Sequence, residues 1–167
     1  NHIEKNNHIL EAGSGVSQWV HSLHHKGYKI TGIDYAKKTV IKINKKYPEL
    51  DVIYGDIFNL NFIDKSISTY LSWGVMEHYE KGPNKILSEC RRVLNDDGKL
   101  IITVPYLNIL RRIFIDGKSF GKGNFYQYVY NRKYFTRILE KNGFEVIEYK
   151  KLNWIKGLKD LIFKGSD

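Results

Sequence analysis

A doubly wound α/β fold, with a mostly parallel sheet covered by helices on both faces, is what this 167-residue chain predicts. Three observations carry the prediction. Short apolar runs alternate with helical periodicities along most of the length. The first run, Ile9-Leu10-Glu11-Ala12, passes directly into a Gly13-Ser14-Gly15 turn and then a helical stripe. Acidic residues (Glu11, Asp34 and Asp56) stand at the ends of three successive runs, where ligands meet such a sheet.

Ile9 and Leu10 open the first strand, and Val16, Trp19, Val20 and Leu23 then recur at helical spacing up to Gly27, a natural helix stop. Tyr28–Asp34 reads as the second strand. A helix follows with Ala36, Val40, Ile43 and Tyr47 on one face and Pro48 as its terminator. Asp51–Tyr54 is the third strand, closed by Gly55-Asp56, and Ile67–Ser72 the fourth. Pro83 starts a helix with the stripe Ile86, Leu87, Cys90, Val93 and Leu94. Asn95-Asp96-Asp97-Gly98 reads as a turn, and Lys99–Val104 as a fifth strand stopped by Pro105. Residues 106–130 show no clear period and are read as an insertion on the acceptor side. Regularity returns in a helix from about Asn131, carrying Tyr134, Phe135, Ile138 and Leu139 and stopped at Asn142-Gly143. Phe144–Tyr149 is expected as a sixth strand.

At this length residues 1–167 form one domain, with apolar content of 42% and charged content of 27% suiting a soluble globular protein. Neither a signal peptide nor an apolar run of membrane-spanning length is visible, so a cytoplasmic location is the expectation. The single cysteine, Cys90, excludes an internal disulfide and falls on an apolar helical stripe. The net charge of +9 raises the question of a nucleic-acid partner. Only 6 of the 27 basic residues are arginines and the lysines are scattered, so such a partner is disfavoured without being excluded.

The glycine turn narrows the ligand. Glycines allow a chain reversal and an approach to backbone without a Cβ, and the following helix offers unpaired N–H groups. A dinucleotide fingerprint needs a third glycine at the sixth position, which is Gln18 here. Glu11, at the strand mouth, suits a cationic or zwitterionic ligand and repels a pyrophosphate. S-adenosylmethionine (SAM) meets that description. Asp34 lies 19 residues after Gly15, near the spacing at which an acid meets ribose hydroxyls. Asp34 and Asp56 could each instead cap a following helix; their joint occurrence at strand ends favours the ligand.

These segments together resemble the class I SAM-dependent methyltransferases, in the group acting mainly on small molecules. Ile9-Leu10-Glu11-Ala12-Gly13-Ser14-Gly15 is similar to the family's first motif, and Ile30–Asp34 to its ribose-binding strand end. Gly55-Asp56-Ile57 resembles the adenine-binding segment, and Ser72–His78 the stretch lining the methionine end. The segment from Arg92-Val93-Leu94 to Pro105 resembles the helix, turn and fifth strand that follow. The resemblance is close over residues 8–105 and looser over 131–149. It implies a Rossmann-like fold, SAM as cofactor, and Glu11, Gly13, Ser14, Gly15, Asp34, Tyr35, Asp56, Ile57 and Trp73 as cofactor-binding residues. Ser17 stands where the family often has a third glycine, and the fourth strand lacks the family's usual acid near its start. The chain is also expected to lack the family's N-terminal helices and seventh strand, as a fragment would.

Methyl transfer is an in-line displacement, and alignment of the two partners supplies much of its acceleration. His78 is the candidate general base, with Tyr79 behind it; bracing the next helix is the alternative for Glu77 and His78. The expected acceptor is a small molecule such as a glycan or lipid precursor, with Phe120–Tyr130 forming part of its pocket. An RNA methyltransferase, which would show a contiguous basic stripe, and a non-catalytic SAM-binding scaffold are the alternatives. His21, His24 and His25 read as a solvated helix face, and no metal is expected. The basic, amphipathic stretch 152–164 allows peripheral membrane contact, with packing on the domain as the other reading. The oligomeric state is open.

Overall fold

The computed structural model describes residues 5, 7–106, 118–121 and 124–150, with 118–121 and 124–126 described by their backbone alone. A five-stranded parallel sheet forms its centre, in the order β3-β2-β1-β4-β5. The strands are β1 (Ile9–Ala12), β2 (Ile30–Asp34), β3 (Asp51–Tyr54), β4 (Ile67–Trp73) and β5 (Leu94–Thr103). Among the described residues four α-helices accompany them: α1 (Gln18–His25), α2 (Lys37–Lys46), α3 (Asn84–Val93) and α4 (Arg132–Lys141). The winding runs from β1 through β2 to β3 in one direction and from β4 to β5 in the other, so the switch point lies between β1 and β4. The expected doubly wound fold is the one observed.

Two cores show how the sheet is covered. On one face Val20 of α1 and Val40 and Ile43 of α2 meet Ile9, Ile30, Val52 and Leu71. On the other, Ile86, Leu87, Cys90 and Val93 of α3 and Leu139 of α4 meet Leu10, Ala12, Ile33 and Tyr70. Neighbouring strand residues, such as Ile9 and Leu10, supply opposite cores because strand side chains alternate. The β3–β4 connection contains no helix and is held to α3 by side chains. Arg92 donates to the carbonyls of Leu60 and Phe62, each at 2.8 Å, and pairs with Glu89 and Asp64. Glu89 in turn accepts from the Leu60 N–H at 2.7 Å.

Several local expectations are revised. Helix α1 starts at Gln18, and of its expected apolar stripe Val20 is buried, Leu23 is partly buried, and Val16 and Trp19 are exposed. Residues 95–98 do not separate a helix from a strand. Leu94 already pairs with Ile67, and Lys99 with Thr69, so the four residues between loop out opposite Ser68 within β5. Phe144–Tyr149 forms no strand. Phe144 and Val146 still pack against the core, so their alternation records half-burial without a ladder of hydrogen bonds. Within 106–130, where no period is readable, β6 (Lys118–Gly121) and β7 (Asn124–Tyr128) pair antiparallel, and Tyr106 bridges Tyr130. The amphipathic stretch 152–164 lies outside the described residues. Among the described residues no helix is long and apolar enough to cross a membrane.

Gly32 sets how closely α1 approaches the sheet. A Cβ there would lie 2.7 Å from a Val20 methyl and 3.0 Å from Ser14 Oγ. We predict that Gly32→Ala lowers the unfolding free energy by about 2 kcal/mol through overpacking, measured by urea denaturation; full stability would show that α1 can shift freely.

Candidate active site

The turn after β1 is built from backbone that most residues could not adopt. Gly13 and Gly15 have φ of 76° and 52°, and a Cβ on Gly13 would lie 2.6 Å from a Val75 methyl. Ser17, the residue before α1, is also left-handed at φ 58°. That conformation costs a non-glycine residue roughly 1–2 kcal/mol, which explains the family's frequent glycine at this position. Here Ser17 is buried, and its hydroxyl donates to Ser14 Oγ at 3.2 Å.

Hydrogen bonds fasten this turn to the end of β2. The Ile33 carbonyl accepts from the N–H groups of Gly13 and Ser14, at 2.9 and 3.0 Å. Asp34 Oδ2 accepts from the Gly15 N–H at 2.7 Å, and Oδ1 from the Ala36 N–H at 2.8 Å. Each carboxylate oxygen therefore has capacity left for a further donor. Asp34 does not occupy the capping position of α2, which belongs to Ala36.

A cavity of about 550 Å³ opens beyond the C-terminal ends of β1, β2, β3 and β4. Of the residues expected at the cofactor, Gly13, Asp34, Tyr35, Asp56 and Ile57 line it, together with the candidate base His78. Phe58, Gly74, Val75 and Tyr79 complete the wall. Phe58 had no signal in the sequence beyond following Asp56-Ile57; its ring meets Tyr79 edge-on, 4.6 Å between centroids. Asp56 Oδ1 accepts from the Phe58 N–H at 2.9 Å, which turns the chain over the end of β3. Among the described residues neither lysine nor arginine lines the cavity.

Four of the expected residues stand outside the lining. Ser14 is turned beneath the loop, and Gly15 serves through its N–H to Asp34. Trp73 sits on the α1 side of the sheet, its ring 5.2 Å from that of Trp19. Glu11 is only 3% exposed and accepts from the Val20 N–H at 3.1 Å, inside α1's first turn. The carboxylate thus braces the loop from below. Burial raises its pKa to about 7.

Of the α1 histidines, His25 is exposed, while His21 and His24 are half-buried and His21 packs on Tyr47. Nε2 of His21 and of His25 are 3.2 Å apart, and among the described residues no group of three or more ligand-type side chains could hold a metal.

Comparison with known proteins places these features. The family profile for the methyltransferase domain matches residues 10–102. A Mycolicibacterium smegmatis protein named "Probable S-adenosylmethionine-dependent methyltransferase" is 29% identical over 138 residues, covering 83% of this chain and 52% of its own length. A demethylmenaquinone methyltransferase of Thermotoga maritima is 30% identical over 97 residues, covering 56% of this chain and 42% of its own. The chain thus spans about half the length of the curated relatives it matches. A SAM-dependent methyltransferase structure from Methanosarcina mazei superposes with a TM-score of 0.77 at 20% identity, covering 91% of this chain and 87% of that one.

Glu11 makes stability pH-dependent. Its pKa is raised on folding, so its contribution is most favourable below about pH 4.5 and is lost as pH rises towards 7. At neutral pH the penalty is on the order of 3 kcal/mol. We expect Glu11→Gln, which keeps an acceptor for Val20, to remove this part of the slope in unfolding free energy between pH 4.5 and 7. An unchanged slope would mean that Glu11 is hydrated.

Proposed function

Because the chain belongs to the methyltransferase-domain family, we propose that it binds SAM in the cavity at the β1–β4 switch point and directs its methyl group to a small-molecule acceptor. The observation that carries this reading is the lining itself. Two carboxylates, close-approach glycine backbone and aromatic or aliphatic walls converge where a doubly wound sheet receives ligands, with neither lysine nor arginine among the described lining residues. The cavity's size falls within the range of small-molecule sites.

The residues fit the cofactor by chemistry. Asp34, held by Gly15 and Ala36, presents its remaining acceptor capacity to the ribose diol. Asp56 accepts from the adenine amino group, and Ile57 and Phe58 provide an apolar surface for the ring. Gly13 gives close access to backbone at the methionine end, opposite Gly74 and Val75. Glu11, Ser14 and Trp73 act as supports for that surface, not as contacts. The bound cofactor supplies an electrophilic methyl group on a sulfonium; the protein's part is to hold the acceptor in line with it and exclude water. His78, exposed at the cavity wall, is placed to take a proton from an acceptor that must lose one. A demethylmenaquinone methyltransferase among the relatives supports a small-molecule acceptor.

A second reading, RNA as acceptor, is favoured by one observation. Lys38, Lys42 and Lys46 stand one helical turn apart along α2 and line a separate groove with Val16, Thr39, Ile43 and Tyr47. That stripe lies off the cavity lining, so it adds affinity without identifying the methylated atom.

Calorimetry tests both readings. We predict that SAM and S-adenosylhomocysteine bind, and that Asp34→Ala weakens them by about ten- to a hundredfold, the value of a charge-assisted hydrogen bond pair. Unchanged affinity would remove Asp34 from the site. For the stripe, affinity for single-stranded RNA should fall steeply with salt, and replacing the three lysines by glutamine should flatten that dependence by about two units of slope. A salt-insensitive interaction would discard RNA.

A further inference from the structure

Two buried polar groups stand behind the cavity wall without a hydrogen-bond partner, a state that Tyr70 Oη, Trp73 Nε1 and Asn95 Oδ1 share among the described residues. Glu77 lies in the single 3-10 turn Met76–His78 that follows β4, and is 3% exposed. Its Oε2 makes no hydrogen bond, and neither does the hydroxyl of Tyr130, also 3% exposed. Such orphans are uncommon in folded proteins and cost roughly 1–3 kcal/mol each. Both lie on the β4–β5 side of the switch point. Glu77 Oε1 is 3.4 Å from where a Cβ on Gly74 would stand, and Gly74 lines the cavity. The backbone N–H of Tyr130 donates to the Pro105 carbonyl at 2.9 Å, just past the end of β5. Tyr128 ties the same segment to the Glu77 turn by donating from its hydroxyl to the Glu80 carbonyl at 2.6 Å.

The surroundings of the pair are aromatic. Tyr130 stacks on Tyr128 and Tyr134, with centroids 5.7 and 6.2 Å apart, and packs on Phe135 at 4.7 Å. Burial first, then the neighbouring Tyr128 and Tyr134 phenols and last Glu77, hold the Tyr130 phenol protonated. A carboxylate beside stacked phenol rings is the arrangement that binds an ammonium group, by ion pairing and by the negative ring faces.

Resting on the methyltransferase reading, we propose that Glu77 and Tyr130 form the acceptor subsite and that the acceptor is an amine. The Glu77 carboxylate pairs with the ammonium form. It then takes one N–H proton onto Oε2, leaving the nitrogen lone pair free to form the N–C bond to the methyl carbon as the C–S bond breaks and S-adenosylhomocysteine leaves with that electron pair. Tyr130 Oη accepts a second N–H and orients the nitrogen. Burial already raises the Glu77 pKa, which makes the carboxylate a competent proton acceptor. On this account His78, at the exposed rim, is not the first base.

The test uses ethanolamine as a minimal amine probe and ethylene glycol as its neutral counterpart. Both are titrated into the 167-residue chain carrying ¹³C-labelled glutamate, with and without S-adenosylhomocysteine. Ethanolamine should shift the Glu77 carboxyl resonance saturably and bind at least about tenfold more tightly than ethylene glycol. Tyr130→Phe should weaken it several-fold, and Glu77→Gln should abolish saturable binding, while both variants keep their melting temperature and their S-adenosylhomocysteine affinity. Equal binding of the glycol, an unmoved Glu77 resonance, or binding that survives Glu77→Gln would each overturn the proposal. If S-adenosylhomocysteine fails to bind while ethanolamine still shifts Glu77, the methyltransferase reading fails and the amine subsite stands.

Discussion

Everything at the cavity depends on how the turn after β1 is fastened to the end of β2. The Ile33 carbonyl and the Asp34 carboxylate together accept four backbone N–H groups, three of them from Gly13, Ser14 and Gly15. From below, Glu11 holds the first turn of α1. The loop could not follow this path with ordinary residues, because Gly13 and Gly15 have positive φ and Gly13 faces Val75 across a gap too narrow for a Cβ. Two strand ends, one helix start and the segment after β4 are thereby held in a single arrangement, with the carboxylate of Asp34 at its centre.

This constraint alters the meaning of the acidic residues. As residue types they form one series at strand ends. In three dimensions they separate into three roles. Glu11 is sealed under the loop and burial keeps it near neutrality, so its work is mechanical. Asp34 is buried as well, yet it borders the cavity and is held as an acceptor. Asp56 is exposed and shapes the turn that brings Ile57 and Phe58 to the wall. Burial and the direction of each side chain make the distinction.

The acceptor side follows a different logic. Glu77 Oε2 and the Tyr130 hydroxyl remain unsatisfied although both residues are buried, and among the described residues Trp73 Nε1, Tyr70 Oη and Asn95 Oδ1 share that state. A site pre-organised for a donor leaves acceptors waiting, and their cost to stability is recovered on binding.

Much of the fold could be read from the chain because its signals are local. A glycine turn between a strand and a helix, a proline at the start of α3 and the apolar stripe of α3 depend on near neighbours, and these elements stand where expected. The strand ends that carry Asp34 and Asp56 were legible for the same reason. Other features required partners remote in sequence. Phe144–Tyr149 alternates like a strand but has no neighbour to pair with, and residues 95–98 bulge because Leu94 and Lys99 both find partners on β4. Trp73 and Glu11 read as ligand contacts in one dimension; in three, Trp73 packs on the α1 side of the sheet and Glu11 accepts from the Val20 N–H. Phe58 enters the cavity only because Asp56 turns the chain. Residue order alone determined the first five strands, the helices between them and the kind of ligand, since periodicity, turn chemistry and charge are local properties. Tertiary structure decided which side chains face the cavity and which lie beneath it, since burial and orientation arise when distant segments meet.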